Sequence, residues 1–146
     1  MVEVDGLQSL VSERMFRVGE IVSVLPILGL FGLAVVQILT GDSDPQSGML
    51  AAYMIIIWPL VSSFSITALA VLWVFQHLAN ITISKVNLAL ICVHTLAAVY
   101  IIILLSIDVG IEPNEYTVLA PLGIVIGSSI VLSIHILVQN CRALLS

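Results

Sequence analysis

Four long runs of apolar residues, separated by short polar breaks, constrain the fold of this chain more than any other feature. The runs cover about 21–40, 49–76, 86–107 and 117–138. Each reaches the roughly 20 residues that an α-helix needs to cross a hydrocarbon core about 30 Å thick. The runs are continuous rather than alternating, which argues against a barrel of short strands. The sequence therefore predicts an all-α membrane protein with four transmembrane helices.

The composition agrees with this class. Hydrophobic residues make up 60% of the 146 residues and charged residues only 9%, whereas a soluble domain carries about 25% charged residues. A single soluble core could not cover so much apolar surface, so lipid must cover it. With no linker or low-complexity tract, residues 21–146 are predicted to form one transmembrane domain. The four bases are scattered and the net charge is −5, which argues against nucleic-acid binding.

The breaks between the runs set the topology. They read GDSDPQSG, HLANITISK and DVGIEPNEY. Connections this short make neighbouring helices run antiparallel. We therefore expect an up-down-up-down antiparallel bundle of four helices.

The basic residues predict the orientation. Arg14, Arg17, Lys85 and Arg142 all fall on one side of such a bundle, where we expect them to anchor the chain at the membrane interface. The other side carries only acids: Asp42, Asp44, Asp108, Glu112 and Glu115. By the positive-inside rule, both termini lie in the cytoplasm, or in the equivalent interior of a virion or vesicle. The expected location is a cell membrane or a viral envelope.

Residues 1–20 form a separate segment in this interpretation. One helical face gathers apolar side chains, and Arg14 and Arg17 flank it, while Glu13 and Glu20 point away from it. This pattern predicts a short amphipathic helix that lies on the inner leaflet and leads into the first transmembrane helix. The apolar face consists of Leu7, Leu10, Val11, Met15 and Val18.

Small residues indicate where helices could pack closely. Gly123 and Gly127 form a G-x-x-x-G pair in the fourth run, which could serve packing within one chain or contact between copies. The second run carries two stripes, one containing Ser63 and Thr67 and the other containing Ser62, Ser65 and Gln76. Two stripes on one helix predict two neighbouring helices.

His94 and His135 are ionisable residues within transmembrane runs, which makes them candidates for a functional site. They could hold a b-type haem between facing helices, although their expected depths differ by roughly 6 Å. A proton or ion path is a second possibility, but no Asp or Glu occurs in the four runs. The favoured interpretation is that each histidine hydrogen-bonds to a serine, asparagine or glutamine of an adjacent helix.

The tripeptide Asn80-Ile81-Thr82 matches a glycosylation acceptor. The predicted topology places it on the interior side, where that modification does not occur. We therefore interpret it as a polar turn with helix-capping residues.

No motif in the sequence carries catalysis. The runs contain no paired aspartates, no H-E-x-x-H and no nucleophile beside a base, so we expect a non-enzymatic protein. The predicted role is structural or associative: a membrane scaffold, a subunit of a larger membrane complex, or an internal envelope protein of a membrane-bounded virus. Its partners would be the lipid bilayer and further copies or other subunits. No cofactor is expected in that role. One alternative is a haem b-binding anchor subunit for electron transfer, and another is an oligomeric small channel or holin-like pore.

Overall fold

The computed structural model describes residues 2–40, 45–106 and 115–146, except for the side chains of residues 2–11, 45–47, 51, 105 and 115. The described residues form four α-helices and no strand. These helices are α1 (Val2–Thr40), α2 (Pro45–Leu78), α3 (Lys85–Ser106) and α4 (Glu115–Leu145).

Each helix contains a segment that is long and apolar enough to cross a membrane. These segments are Ser12–Thr40, Gly48–Leu78, Lys85–Leu104 and Tyr116–Leu145. Many large apolar side chains on the outside of the helices are exposed, among them Leu60, Phe64 and Leu96. Such a surface suits lipid rather than water. The prediction of an all-helical protein with four membrane-compatible helices is confirmed.

α1 is longer than its predicted run because it continues without interruption from Val2 to Thr40. Residues 2–20 therefore belong to the same helix as the first apolar run, and no break occurs at Glu20. Met15 and Val18 are exposed, while the side chains of Leu7, Leu10 and Val11 lie outside the described residues. A position of this segment on the leaflet surface stays a prediction.

The acidic loops lie outside the described residues. This applies to Asp42, Asp44, Asp108 and Glu112, and to the side chain of Glu115. The sidedness of the chain therefore continues to rest on the distribution of its bases.

α4 is the central helix of the fold. It contacts α1, α2 and α3, and α1 also contacts α2. Between the helices lies a cluster of buried apolar side chains from α1, α2 and α4. It consists of Val24, Ile66, Leu69, Trp73, Leu132 and Ile136. Because lipid competes equally for apolar side chains, close packing and interhelical hydrogen bonds must hold such helices together.

The turn after α2 closes one end of the bundle. The Ile81 N–H donates to the Gln76 carbonyl at 2.9 Å, and the Asn80 N–H donates to the His77 carbonyl at 3.1 Å. Asn80 has φ of 57°, the left-handed conformation that this Schellman cap requires and that asparagine tolerates. The interpretation of this segment as a polar turn with capping residues is confirmed.

Candidate functional site

Glu20 on α1 is a buried carboxylate that joins three helices. Its side chain is only 9% exposed. Oε1 accepts hydrogen bonds from Trp73 Nε1 at 2.8 Å and from Gln76 Nε2 at 2.9 Å, both on α2. Oε2 accepts a hydrogen bond from Asn140 Nδ2 of α4 at 2.5 Å. We call Glu20, Trp73, Gln76, Asn140 and the adjoining Arg17 the Glu20 cluster.

Arg17 orients the cluster through Asn140. One guanidinium nitrogen donates to Asn140 Oδ1 at 3.2 Å, and the other donates to Glu13 Oε1 at 2.5 Å. Because Asn140 accepts from Arg17 through its oxygen, it presents its amide nitrogen to Glu20. Among the described residues, Arg17 pairs with Glu13 and no cation lies within ion-pair distance of Glu20. Three neutral donors therefore stabilise the buried carboxylate.

The burial of Glu20 goes beyond what the helical face predicts. The sequence places Glu20 away from the apolar face, and its side does lie opposite the exposed Met15 and Val18. That face packs against α2 and α4 because, in a membrane protein, polar side chains turn towards other helices. Residues 21–40 contain no acid, but the membrane-compatible segment Ser12–Thr40 begins earlier and includes the buried Glu20. The absence of acids from the four runs therefore does not argue against an ion path.

A small polar cleft of about 50 Å³ lies beside the Glu20 cluster. Its walls include Glu13, Arg17 and Glu20 of α1, and residues 81–84 of the turn after α2. The polar lining also includes the amide side chains of Gln76, Asn87, Gln139 and Asn140. A cavity of this volume has room for water or a small ion, since one water needs about 10–15 Å³ on this scale.

The two intramembrane histidines hydrogen-bond across the contact between α3 and α4. His135 Nδ1 lies 2.7 Å from Asn87 Oδ1. His94, which is 2% exposed, has Nδ1 3.1 Å from the Val125 carbonyl and 3.3 Å from Ser128 Oγ. Since a carbonyl can only accept, His94 Nδ1–H is the donor to Val125. The favoured interpretation, a hydrogen bond to a serine, asparagine or glutamine of an adjacent helix, is confirmed for His135, whereas His94 lies nearer to the Val125 backbone carbonyl than to Ser128.

The same contacts place His94 and His135 at different levels. Asn87 and His94 are seven positions apart on α3, and Ser128 and His135 are seven apart on α4. At 1.5 Å per residue, the two hydrogen-bonded levels are about 10 Å apart along the helices. The histidines are therefore not brought to the two sides of one common point, as a shared haem iron would require.

We expect the purified protein to be colourless, because the two histidines lie at different levels. The measurement is the visible absorption spectrum of protein isolated from haem-supplemented cells. A Soret band that disappears in His94→Ala and in His135→Ala would contradict this expectation and support the haem alternative.

The small residues of the helix faces divide into buried and exposed sets. Gly123 and Gly127 are exposed, and a Cβ added at either would meet no atom within 4 Å. Ser63 and Thr67 are also exposed, and the Thr67 hydroxyl donates to the Ser63 carbonyl of its own helix at 2.8 Å. Among the described residues, these four therefore pack against no other helix. The second predicted stripe on α2 does face other helices, since Ser62, Ser65 and Gln76 are buried.

The basic residues expected at the interface occupy helix ends or exposed positions. Lys85 begins α3, Arg142 lies in the last turn of α4, and both are exposed, as is Arg14. Arg17 is half-buried because it also bonds to Asn140. Anchoring at the membrane interface stays a prediction for all four.

Comparison with protein-family models, curated proteins and solved structures gives no match for this chain.

Proposed function

We propose that this chain is a non-enzymatic integral membrane protein with a structural or assembly role, whose copies associate through an exposed glycine face on α4. The single observation that carries the proposal is that Gly123 and Gly127, spaced as a G-x-x-x-G pair, share one exposed face that no other part of the described chain covers.

The proposal includes an up-down-up-down bundle with both termini on the interior side. Contacts of α1 with α2 and of α3 with α4 support this topology. Asn87 bonds to His135, and His94, later on α3, approaches Ser128, earlier on α4. Residue numbers therefore increase along α3 in the direction in which they decrease along α4, so the two helices are antiparallel. The restriction of Arg and Lys to one side supports the orientation.

The pairing of His94 with Ser128 does not form a nucleophile and base, which supports a non-enzymatic role, although His94 Nε2 and Ser65 Oγ have no hydrogen-bond partner among the described residues. His94 Nδ1–H and the Ser128 hydroxyl both donate to the Val125 carbonyl, so His94 Nδ1 is not positioned to accept a proton from Ser128. Trp58 Nε1 donates to Ser129 Oγ at 2.9 Å and thereby links α2 to α4.

The exposed face of α4 has the composition of a helix-packing surface. Ala120, Gly123, Gly127 and Val131 are all exposed and follow one another at intervals of three or four residues. Without side chains at the two glycines, a second helix can approach the backbone closely and gain dispersion and weak Cα–H···O contacts. A face of this kind is self-complementary, so a second copy of α4 is its simplest partner.

We expect Gly123→Leu combined with Gly127→Leu to weaken self-association at least about tenfold, because the added side chains keep two backbones apart. The folded monomer should keep its stability, since both positions face open space. The measurement is energy transfer between donor- and acceptor-labelled copies in vesicles of increasing lipid-to-protein ratio.

Gly29→Leu combined with Gly32→Leu on α1 is the matched control, because a Cβ at these glycines also meets no atom within 4 Å. Energy transfer should fall in the α4 variant and persist in the α1 variant. Equal association of all three proteins would contradict the assigned interface.

A further inference from the structure

A groove separates α2 from α3, although the two helices follow each other in the chain. α2 packs against α1 and α4, whereas α3 packs mainly against α4. The groove between them has a volume of about 410 Å³. On α2 its lining residues begin at Ala70 and end at Leu78, and on α3 they include Leu88 and Ile91. At 1.5 Å per residue, the groove is therefore about 12 Å long.

The groove is apolar and opens towards the surface that faces lipid. Trp73, which is 4% exposed, lines its floor, and the half-buried Ile91 packs against the apolar cluster of the bundle. Val74 and Leu78, which form its edge, are 59% and 72% exposed. A chain of methylene groups that enters the groove therefore meets apolar side chains along its length.

The size of the groove favours a single acyl chain over a helix of another molecule. An α-helix with its side chains is about 10–12 Å across, so a 12 Å length of helix fills on the order of 1,000 Å³. The groove has less than half of that volume.

The mouth of the groove, where α2 ends and α3 begins, carries a positive charge. Residues 45–106, which contain both helices, include no Asp or Glu and a single basic residue, Lys85. Lys85 is exposed, and among the described residues it forms no ion pair. It lies three positions before Leu88, so the two side chains share one face of α3.

His77 adds a hydrogen-bond donor on the other side of the mouth. It lines the groove, lies in the last turn of α2 and is exposed. An imidazole carries at least one N–H in either protonation state. The mouth therefore offers an anionic headgroup one positive charge and one donor.

The acids of α1 leave this charge available. Residues 81–84 also border the polar cleft that contains Glu13 and Glu20. Glu13 pairs with Arg17, and Glu20 accepts hydrogen bonds from donors on α2 and α4. Neither carboxylate is bonded to Lys85.

We propose that the groove between α2 and α3 binds one anionic phospholipid. Its acyl chain lies along the groove over Trp73 and Ile91, and its phosphate is held at the mouth by Lys85 and the His77 imidazole. A zwitterionic lipid offers the same acyl chain, but its headgroup places a cation near Lys85, so charge at the mouth sets the preference. This inference is independent of the association of copies through α4.

Trp73 reports which lipid occupies the groove. The chain has two tryptophans, and Trp58→Phe leaves Trp73 as the sole one. Bromine atoms on an acyl chain quench tryptophan emission at short range. The full-length variant is placed in phosphatidylcholine vesicles that contain either brominated phosphatidylglycerol or brominated phosphatidylcholine with the same chains. We expect brominated phosphatidylglycerol to give equal quenching at an about fivefold lower mole fraction, the preference that one lysine supplies.

Lys85→Gln in this background should remove most of the preference, because the mouth then has no positive charge. Arg142→Gln is the matched control. It removes the same charge from an exposed position in the last turn of α4, which does not line the groove. Its preference for phosphatidylglycerol should persist.

Ala70→Phe tests the apolar part of the site. Ala70 is exposed and lines the groove, so a phenyl ring there should reduce quenching by both brominated lipids. Ala89→Phe on α3 is exposed but outside the groove lining, and it should leave quenching unchanged.

Three results would overturn the proposal. One is quenching by both brominated lipids in proportion to their mole fraction alone. Another is a preference that survives Lys85→Gln, or that Arg142→Gln abolishes to the same extent. The third is Trp73 emission that neither lipid quenches, since a second copy of the chain would then cover the groove.

Discussion

Glu20→Ala is expected to destabilise the folded protein by about 3–5 kcal/mol, because three buried neutral donors lose the charged acceptor that they share. The variant leaves Trp73 Nε1, Gln76 Nε2 and Asn140 Nδ2 without their acceptor. A buried donor without a partner costs about 1–3 kcal/mol. Water in the adjoining cleft can satisfy some of these donors, so the total is smaller than three full penalties.

The measurement is reversible unfolding in mixed micelles by a denaturing detergent, followed by circular dichroism. The free energy of unfolding of Glu20→Gln should lie between those of the wild type and Glu20→Ala. Its amide oxygen still accepts from Trp73 and Gln76, but its amide nitrogen cannot accept from Asn140 Nδ2. Glu13→Ala is the matched control on the same helix. It removes an ion pair whose carboxylate is 43% exposed, and such pairs contribute about 0–1 kcal/mol.

If Glu20→Ala were no more destabilising than Glu13→Ala, the three interhelical bonds would contribute nothing to the folded state. The description of Glu20 as the residue that joins α1, α2 and α4 would then be wrong.

The four helices could be predicted because an apolar run of about 20 residues must form a helix in lipid. The residues at which the helices begin and end were predicted less accurately. Pro45 begins α2 although it lies in a polar break, since proline suits the first turn of a helix. α4 continues to Leu145, seven residues beyond the end of its apolar run at Val138. Hydropathy measures contact with lipid, and helices extend past the lipid wherever their backbone bonds can continue.

The Glu20 cluster was missed for a specific reason. The first apolar run begins at Ile21, so Glu20 lies one residue outside it and hydropathy gives no sign that Glu20 is buried. The predicted topology already contained the missing signal. In an up-down-up-down bundle, the start of the first helix and the ends of the second and fourth meet at one level. Glu20, Gln76 and Asn140 stand at those three ends, so an acid and two amides should have been expected to interact.

Helix faces were harder to predict than helices. The spacing of Gly123 and Gly127 shows that they share a face, but it does not show whether the chain itself or a second molecule covers that face. The histidines could be paired with polar neighbours from sequence, whereas the levels of the two pairs follow from the register of α3 against α4. That register depends on the packing of many side chains at once and is not encoded in one motif.

Leu132→Ala on α4 is expected to destabilise the folded protein by about 2 kcal/mol. Leu132 is 0% exposed and belongs to the apolar cluster between the helices. In soluble proteins a buried Leu→Ala change costs about 2.7–5.0 kcal/mol, of which part is transfer of the side chain from water. In a membrane the separated helices keep their side chains in lipid, so mainly the loss of packing around the cavity remains.

Leu119→Ala on the same helix is the control, because Leu119 is 58% exposed. Its side chain contacts lipid in the folded and the separated helices alike, so the change should alter the free energy of unfolding by less than about 0.5 kcal/mol. The same detergent titration measures both variants. If both variants lost the same free energy of unfolding, the inner face of α4 would pack no better than its outer face. The description of α4 as the central helix would then be wrong. A large loss for Leu132→Ala alone would show that dispersion contacts, and not only the polar bonds of Glu20, hold α4 against its neighbours.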